Sequence, residues 1–94
     1  MKALTTEEIF TLIVSNIDLR DFTEDELVQL YQWIDEIIIE YTIISLAVRG
    51  EIKLSRFDEG IPSFKPNLKI SNSLMEQIED IGEICEKKYG ELQN

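Results

Sequence analysis

Apolar residues recur along this chain in three stretches with the ~3.6-residue spacing of an amphipathic helix. Two of the starts are written almost identically. Thr5-Thr6-Glu7-Glu8 and Thr23-Glu24-Asp25-Glu26 each place Thr at the N-cap and Glu three positions on. In that box the hydroxyl accepts from a first-turn amide, and the carboxylate reaches back to the cap amide. Leu4 with Ile9, and Phe22 with Leu27, stand where a hydrophobic staple fixes the entry of the chain. The acids of each first turn also suit the positive end of the helix dipole.

The pattern predicts a first helix over about 6–17, with Ile9, Phe10, Ile13, Val14 and Ile17 on one arc. Asp18-Leu19-Arg20-Asp21 forms a polar connector. A long second helix follows over about 24–49, with Gly50 placed to end it in the left-handed conformation. Leu27, Leu30, Tyr31, Ile34, Ile37, Ile38 and Tyr41 share its core arc, flanked by Trp33. Gln29, Gln32, Asp35 and Glu36 make the opposite face polar in the first half, whereas Ile39, Ile43 and Leu46 turn it apolar in the second. The β-branched run Ile37-Ile38-Ile39 makes a strand a competitor, but the helical arc continues in phase through Glu40 without Gly or Pro. A helix end that is apolar all round must be covered, by the rest of the chain or by another subunit.

Between 51 and 70 the helical period is lost. Ile52 and Leu54 alternate with Lys53 and Ser55, Asp58-Glu59-Gly60 offers turn chemistry, Pro62 and Pro66 exclude a helix, and Leu68 and Ile70 alternate around Lys69. The expectation is a short β-hairpin or an extended flap. A third helix is expected over about 73–90. Its start is ambiguous between Ser71, with an Ile70–Met75 staple, and Ser73, with a capping box to Glu76. Leu74, Ile78, Ile81, Cys85, Tyr89 and Leu92 form its apolar stripe, Glu76, Glu79, Asp80, Glu83 and Glu86 the opposite arc, and Gly90 with Gln93-Asn94 its close. Gly82 inside this helix costs up to about 1 kcal/mol relative to Ala, so the close approach of another backbone is the expectation there. The fold class that emerges is mainly α: a single domain over 1–94, three helices with the second long and central, and a β flap between the second and third.

Charge and composition narrow the function. The 94 residues carry 19 acids against 9 bases, a net charge of −10. Residues 1–48 hold −8 and residues 71–94 hold −4, around a middle that is +2 with Arg49, Lys53, Arg56, Lys65 and Lys69. Direct nucleic-acid binding and anionic membrane binding both need clustered cations and are disfavoured. The longest uncharged run, Tyr41–Val48, is eight residues, far below the ~20 that span a bilayer. No basic stretch followed by an apolar one opens the chain, which points to a cytoplasmic setting in the producing or host cell.

Candidate chemistry is sparse. There is no histidine, so His-activated nucleophiles, His metal ligation and a His switch are ruled out. The single cysteine, Cys85, lies on an apolar stripe beside acids, where a buried thiol is the expected role. No Gly-rich phosphate loop exists. Glu76-x-x-Glu79 and Glu83-x-x-Glu86 resemble the carboxylate pairs of helical Mg²⁺-dependent nucleotide hydrolases, but both pairs lie on one solvated helix face rather than converging from separate elements. A non-enzymatic protein without cofactor or metal is expected.

What remains are surfaces. The arc Glu76, Glu79, Asp80, Glu83 and Glu86, joined by Asp35, Glu36 and the acidic first turns of helices 1 and 2, offers a negative patch for a basic partner protein. A nucleic-acid-processing enzyme would present such a groove. Acids one helical turn apart are ~5.4 Å distant while phosphates rise ~3.4 Å each, so mimicry of DNA would need several elements. Trp33, with Phe57, Ile61 and Phe64, is an aromatic candidate for partner contact, or else closes the core. Ile39, Ile43 and Leu46 suggest an oligomer interface, which makes a homodimer or assembly subunit the alternative. In size, charge and missing chemistry the chain resembles the small acidic inhibitors of the phage anti-defence and immunity-protein kind. That resemblance implies a protein that acts by occupying a partner's surface.

Overall fold

The computed structural model describes residues 4–53 and 63–93, and in that range the chain forms three helices: α1 (Thr6–Ser15), α2 (Glu24–Val48) and α3 (Asn72–Gln93). Both Thr-initiated starts form the full reciprocal box. Thr5 Oγ1 accepts from the Glu8 amide at 3.1 Å, and Glu8 Oε1 accepts from the Thr5 amide at 3.2 Å. Thr23 and Glu26 repeat this at 3.2 and 2.9 Å. The carboxyl of Glu26 is held below its ordinary pKa by the Thr23 amide, with a smaller contribution from the Ser71 amide. Replacing Thr23 with alanine removes the acceptor, and a loss of about 1 kcal/mol is expected in urea denaturation, with Thr23→Ser restoring most of it.

α1 is shorter than its apolar arc suggests. After Ser15 the side chains of Ser15 and Asn16 both donate to the carbonyl of Leu12, at 3.3 and 2.6 Å, and the backbone tightens. Ile17 is still buried, beyond the helix end. The polar connector closes as a single 3₁₀ turn, Leu19–Asp21, because Asp18 accepts from the amide of Arg20 and from its guanidinium. That hydrogen bonding to Arg20 lowers the pKa of Asp18. The pair is exposed and adds little to stability.

α2 ends as the sequence anticipates. Gly50 has φ +81°, its amide donates to the Ala47 carbonyl at 3.0 Å, and the Glu51 amide donates to Leu46 at 2.9 Å. These two bonds make a Schellman cap, which only a residue free to adopt positive φ closes without strain.

The structure does not support the expected β-hairpin: among the described residues there is no strand. Leu54, the turn Asp58-Glu59-Gly60, Phe57, Ile61 and Pro62 lie outside the described residues. Residues 63–70 form neither helix nor strand and pair with side chains instead of a second strand. The Phe64 amide donates to Glu86 Oε1 at 3.1 Å, and the Lys69 amide donates to Gln29 Oε1 at 2.9 Å. Trp33 Nε1 donates to the Phe64 carbonyl at 3.1 Å, and Pro66 has no amide to satisfy. With these partners in place no ladder is needed.

This strap explains the topology. It runs back along α2, past Trp33 and then Gln29, and delivers Ser71 beside Glu26 at the start of α2. α3 therefore runs parallel to α2, and α1, joined to α2 by a tight turn, runs antiparallel to it. The start of α3 resolves in favour of Ser71, whose carbonyl accepts from Met75 at 2.9 Å. Gly90 does not stop α3, which continues to Gln93. One apolar cluster joins the three helices and the strap: Ile9, Ile13, Leu30, Trp33, Ile34, Ile37, Tyr41, Ile44, Phe64, Ile78 and Tyr89 are among its members. Phe64 meets Tyr89 edge-on, with ring centroids 5.7 Å apart. Phe10 and Tyr31, placed on the core arcs by spacing, are each 41% exposed and sit at the rim instead.

Candidate binding surfaces

The acids of the expected negative patch stand on different elements. Glu76, Glu79, Asp80 and Glu83 share the exposed arc of α3, at positions i, i+3, i+4 and i+7. Among the described residues none of the four has an ion-pair or hydrogen-bond partner of its side chain. Neighbours of like charge at these spacings repel, each pair costing about 0.2–0.5 kcal/mol. The single ion pair of α3 among the described residues, Lys88 with Glu91, lies further along at 3.6 Å.

Glu86 belongs to the same helix but has a structural role. Its Oε1 accepts from both the Ser63 hydroxyl at 3.0 Å and the Phe64 amide, clamping the strap onto α3. Glu36 borders the shallow hollow between α2 and the strap, with Trp33, Phe64 and Lys65. Asp35 stands on the outer face of α2, away from the acidic arc of α3. Because α1 and α2 are antiparallel, their acidic first turns lie at opposite ends of the molecule. Glu7 and Glu8 border a groove that also includes Lys88 of α3.

Trp33 is 5% exposed and belongs to the core, where its indole N–H holds the strap. Phe64 is buried in the same cluster. The signal for this pairing was available in the sequence as Gly82. A Cβ on Gly82 would stand 2.9 Å from the Phe64 carbonyl oxygen, so the strap crosses α3 where only glycine leaves room.

Of the apolar outer stripe of α2, Ile39 is 57% exposed, and Ile43 and Leu46 are half-buried. Val28 is also 57% exposed on the same face, a residue the periodicity did not single out.

Cys85 is buried, and burial followed by the nearby charge of Glu86 pushes its thiol up to about 11. It is protonated at neutral pH and is not a nucleophile there. Among the described residues no group of three or more acidic or cysteine side chains gathers where a cation would be held, and no charged or polar residue is buried. No helix of the described residues is long and apolar enough to cross a membrane. Comparison with protein families, characterised proteins and solved structures gives no significant match.

Proposed function

We propose that this chain is a non-catalytic binding module whose α3 arc docks on a basic surface of a partner protein, and that it inhibits by covering that surface. A groove that a nucleic-acid-processing enzyme keeps for its substrate is the favoured target class, since such grooves concentrate Lys and Arg. The observation that carries this reading is the run Glu76, Glu79, Asp80 and Glu83: four exposed carboxylates on one arc, none paired within the described chain. An arrangement that repels itself is relieved when cations of a partner are laid against it. The arc is also rigid, because the opposite face of α3 supplies Leu74, Ile78, Ile81 and Cys85 to the core.

The triple variant Glu79→Gln, Asp80→Asn, Glu83→Gln tests this. Its partner affinity is expected to fall at least tenfold at low salt, while its own melting temperature stays level or rises by a few degrees. Partners are captured from the native host at 50 and 300 mM salt on the wild-type chain and on the variant, and the dissociation constants are then measured with the purified partner. A partner retained equally by both chains at both salt concentrations overturns the reading.

A further inference from the structure

We propose that the strap, residues 63–70, is a cover that lifts from α2 and α3 as one unit while the three helices stay folded. Its attachment differs in kind from that of the helices. Each helix closes its backbone hydrogen bonds within itself. The long-range hydrogen bonds of the strap, among the described residues, all end on side chains. Glu86 accepts from the Ser63 hydroxyl and the Phe64 amide, Trp33 donates to the Phe64 carbonyl, and Gln29 accepts from the Lys69 amide. Water can replace each of these partners without unwinding a turn of helix. Burial is thin as well. Phe64 is the one buried side chain of the strap, Pro66, Leu68 and Ile70 are half-buried, and Ser63, Lys65, Asn67 and Lys69 are exposed. Few buried apolar contacts and exposed backbone hydrogen bonds are the marks of a segment that opens well below the global unfolding free energy.

The tethers act together. Trp33 of α2 and Glu86 of α3 grip Phe64 through its carbonyl and its amide, so neither helix holds it alone. Gln29 holds Lys69 five residues on, and Pro66 between the two grips has a fixed φ that stiffens the span. A strap freed at one end therefore strains the other, and the two ends release as one step. The helices lose little by it: Ile9, Ile13, Leu30, Ile34, Ile44 and Ile78 remain joined in their shared cluster. Lifting bares the indole N–H of Trp33 and the backbone of α3 at Gly82, which the Phe64 carbonyl covers in the closed form. It also frees the Glu86 carboxylate on the helix that carries Glu79 and Glu83. The device does not depend on the function proposed for the acidic arc.

Amide hydrogen exchange of the full chain, read residue by residue by NMR, tests the proposal. The Phe64 and Lys69 amides should be about tenfold or more less protected than those of Leu30, Ile34 and Ile78, and low urea should change their exchange little. Loss of one tether should be felt at the other: Glu86→Ala should speed exchange at Lys69, and Gln29→Ala at Phe64, each by about fivefold, the worth of one hydrogen bond. Ile13→Val lies in the core of α1, which supplies none of the tethers. It weakens the helices equally whether the strap is down or lifted, so it should speed Leu30, Ile34 and Ile78 severalfold and leave Phe64 and Lys69 as they were. Far-ultraviolet circular dichroism checks that each variant keeps its helices. Strap amides that follow the helical ones in Ile13→Val would show a single cooperative unit and overturn the proposal. So would tethers whose loss is felt only at their own amide, since the contacts would then fray singly.

Discussion

Trp33→Ala is expected to be the most damaging single truncation in the described part of the chain, costing about 3–5 kcal/mol. The indole is almost wholly buried, so removing it opens a large cavity beside Phe64 and Ile37. It also strips the Phe64 carbonyl of the donor that holds it at 3.1 Å. Against a total stability of about 5–14 kcal/mol for a chain of this length, the loss takes a third or more. Trp33→Phe separates the two contributions. It keeps an aromatic ring in place and loses the hydrogen bond and some volume, for an expected cost of about 1–3 kcal/mol. Urea denaturation followed by far-ultraviolet circular dichroism measures both, since Trp33 is the only tryptophan and the variants have no indole fluorescence to follow. A Trp33→Ala midpoint within 1 kcal/mol of wild type would show that the indole is not packed in this way.

The second large effect is expected at Gly82, and there the sign is informative. At an ordinary helical position, Gly→Ala stabilises by up to about 1 kcal/mol. At Gly82 the added methyl meets the Phe64 carbonyl oxygen at 2.9 Å, a backbone atom that cannot swing aside. The strap must lift, and with it go the Trp33 hydrogen bond and the Glu86 clamp. The displacement outweighs the propensity gain: Gly82→Ala should lose about 1–2 kcal/mol net and Gly82→Val about 3 kcal/mol. Thermal denaturation decides. A Gly82→Ala chain that melts higher than wild type would mean that strap and helix are not in contact.

These two residues also show how far the sequence could be read. The helix starts are encoded locally, in four-residue boxes whose donors and acceptors are all near neighbours, so Thr5–Glu8 and Thr23–Glu26 were legible without any tertiary information. The same holds for Gly50, where the need for positive φ is a property of one residue. The strap was not legible. Alternation at Leu68, Lys69 and Ile70 is compatible with any extended chain half-covered by a core, and nothing local distinguishes a strand partner from side-chain partners such as Gln29 and Glu86. Gly82 signalled a close backbone but could not say whose.

The candidate surfaces divided in the same way. The exposed arc of α3 follows from one helix and its period, and the structure keeps Glu76, Glu79, Asp80 and Glu83 together. Whether Glu86, Glu36 and Asp35 join them depends on how two helices and a strap are set against each other. Glu86 holds the strap, Glu36 borders the hollow beside it, and Asp35 is exposed on α2. Trp33 lies at the flank of its helical arc, so its burial depended on a segment 31 residues away covering that flank. Ile39, Ile43 and Leu46 are placed on the outer face of α2 by the period alone, yet which residues of that face stay exposed, Ile39 and Val28 among them, became visible only in the fold.

The parallel course of α2 and α3 orders events during synthesis. A nascent chain that has released α1 and α2 can form that antiparallel pair at once, because the partners are close in sequence. It still lacks the cover for Trp33 and Ile37, which comes from Phe64. Until the return segment and most of α3 have left the ribosome, that side of α2 is bare apolar surface, open to chaperones or to other incomplete chains.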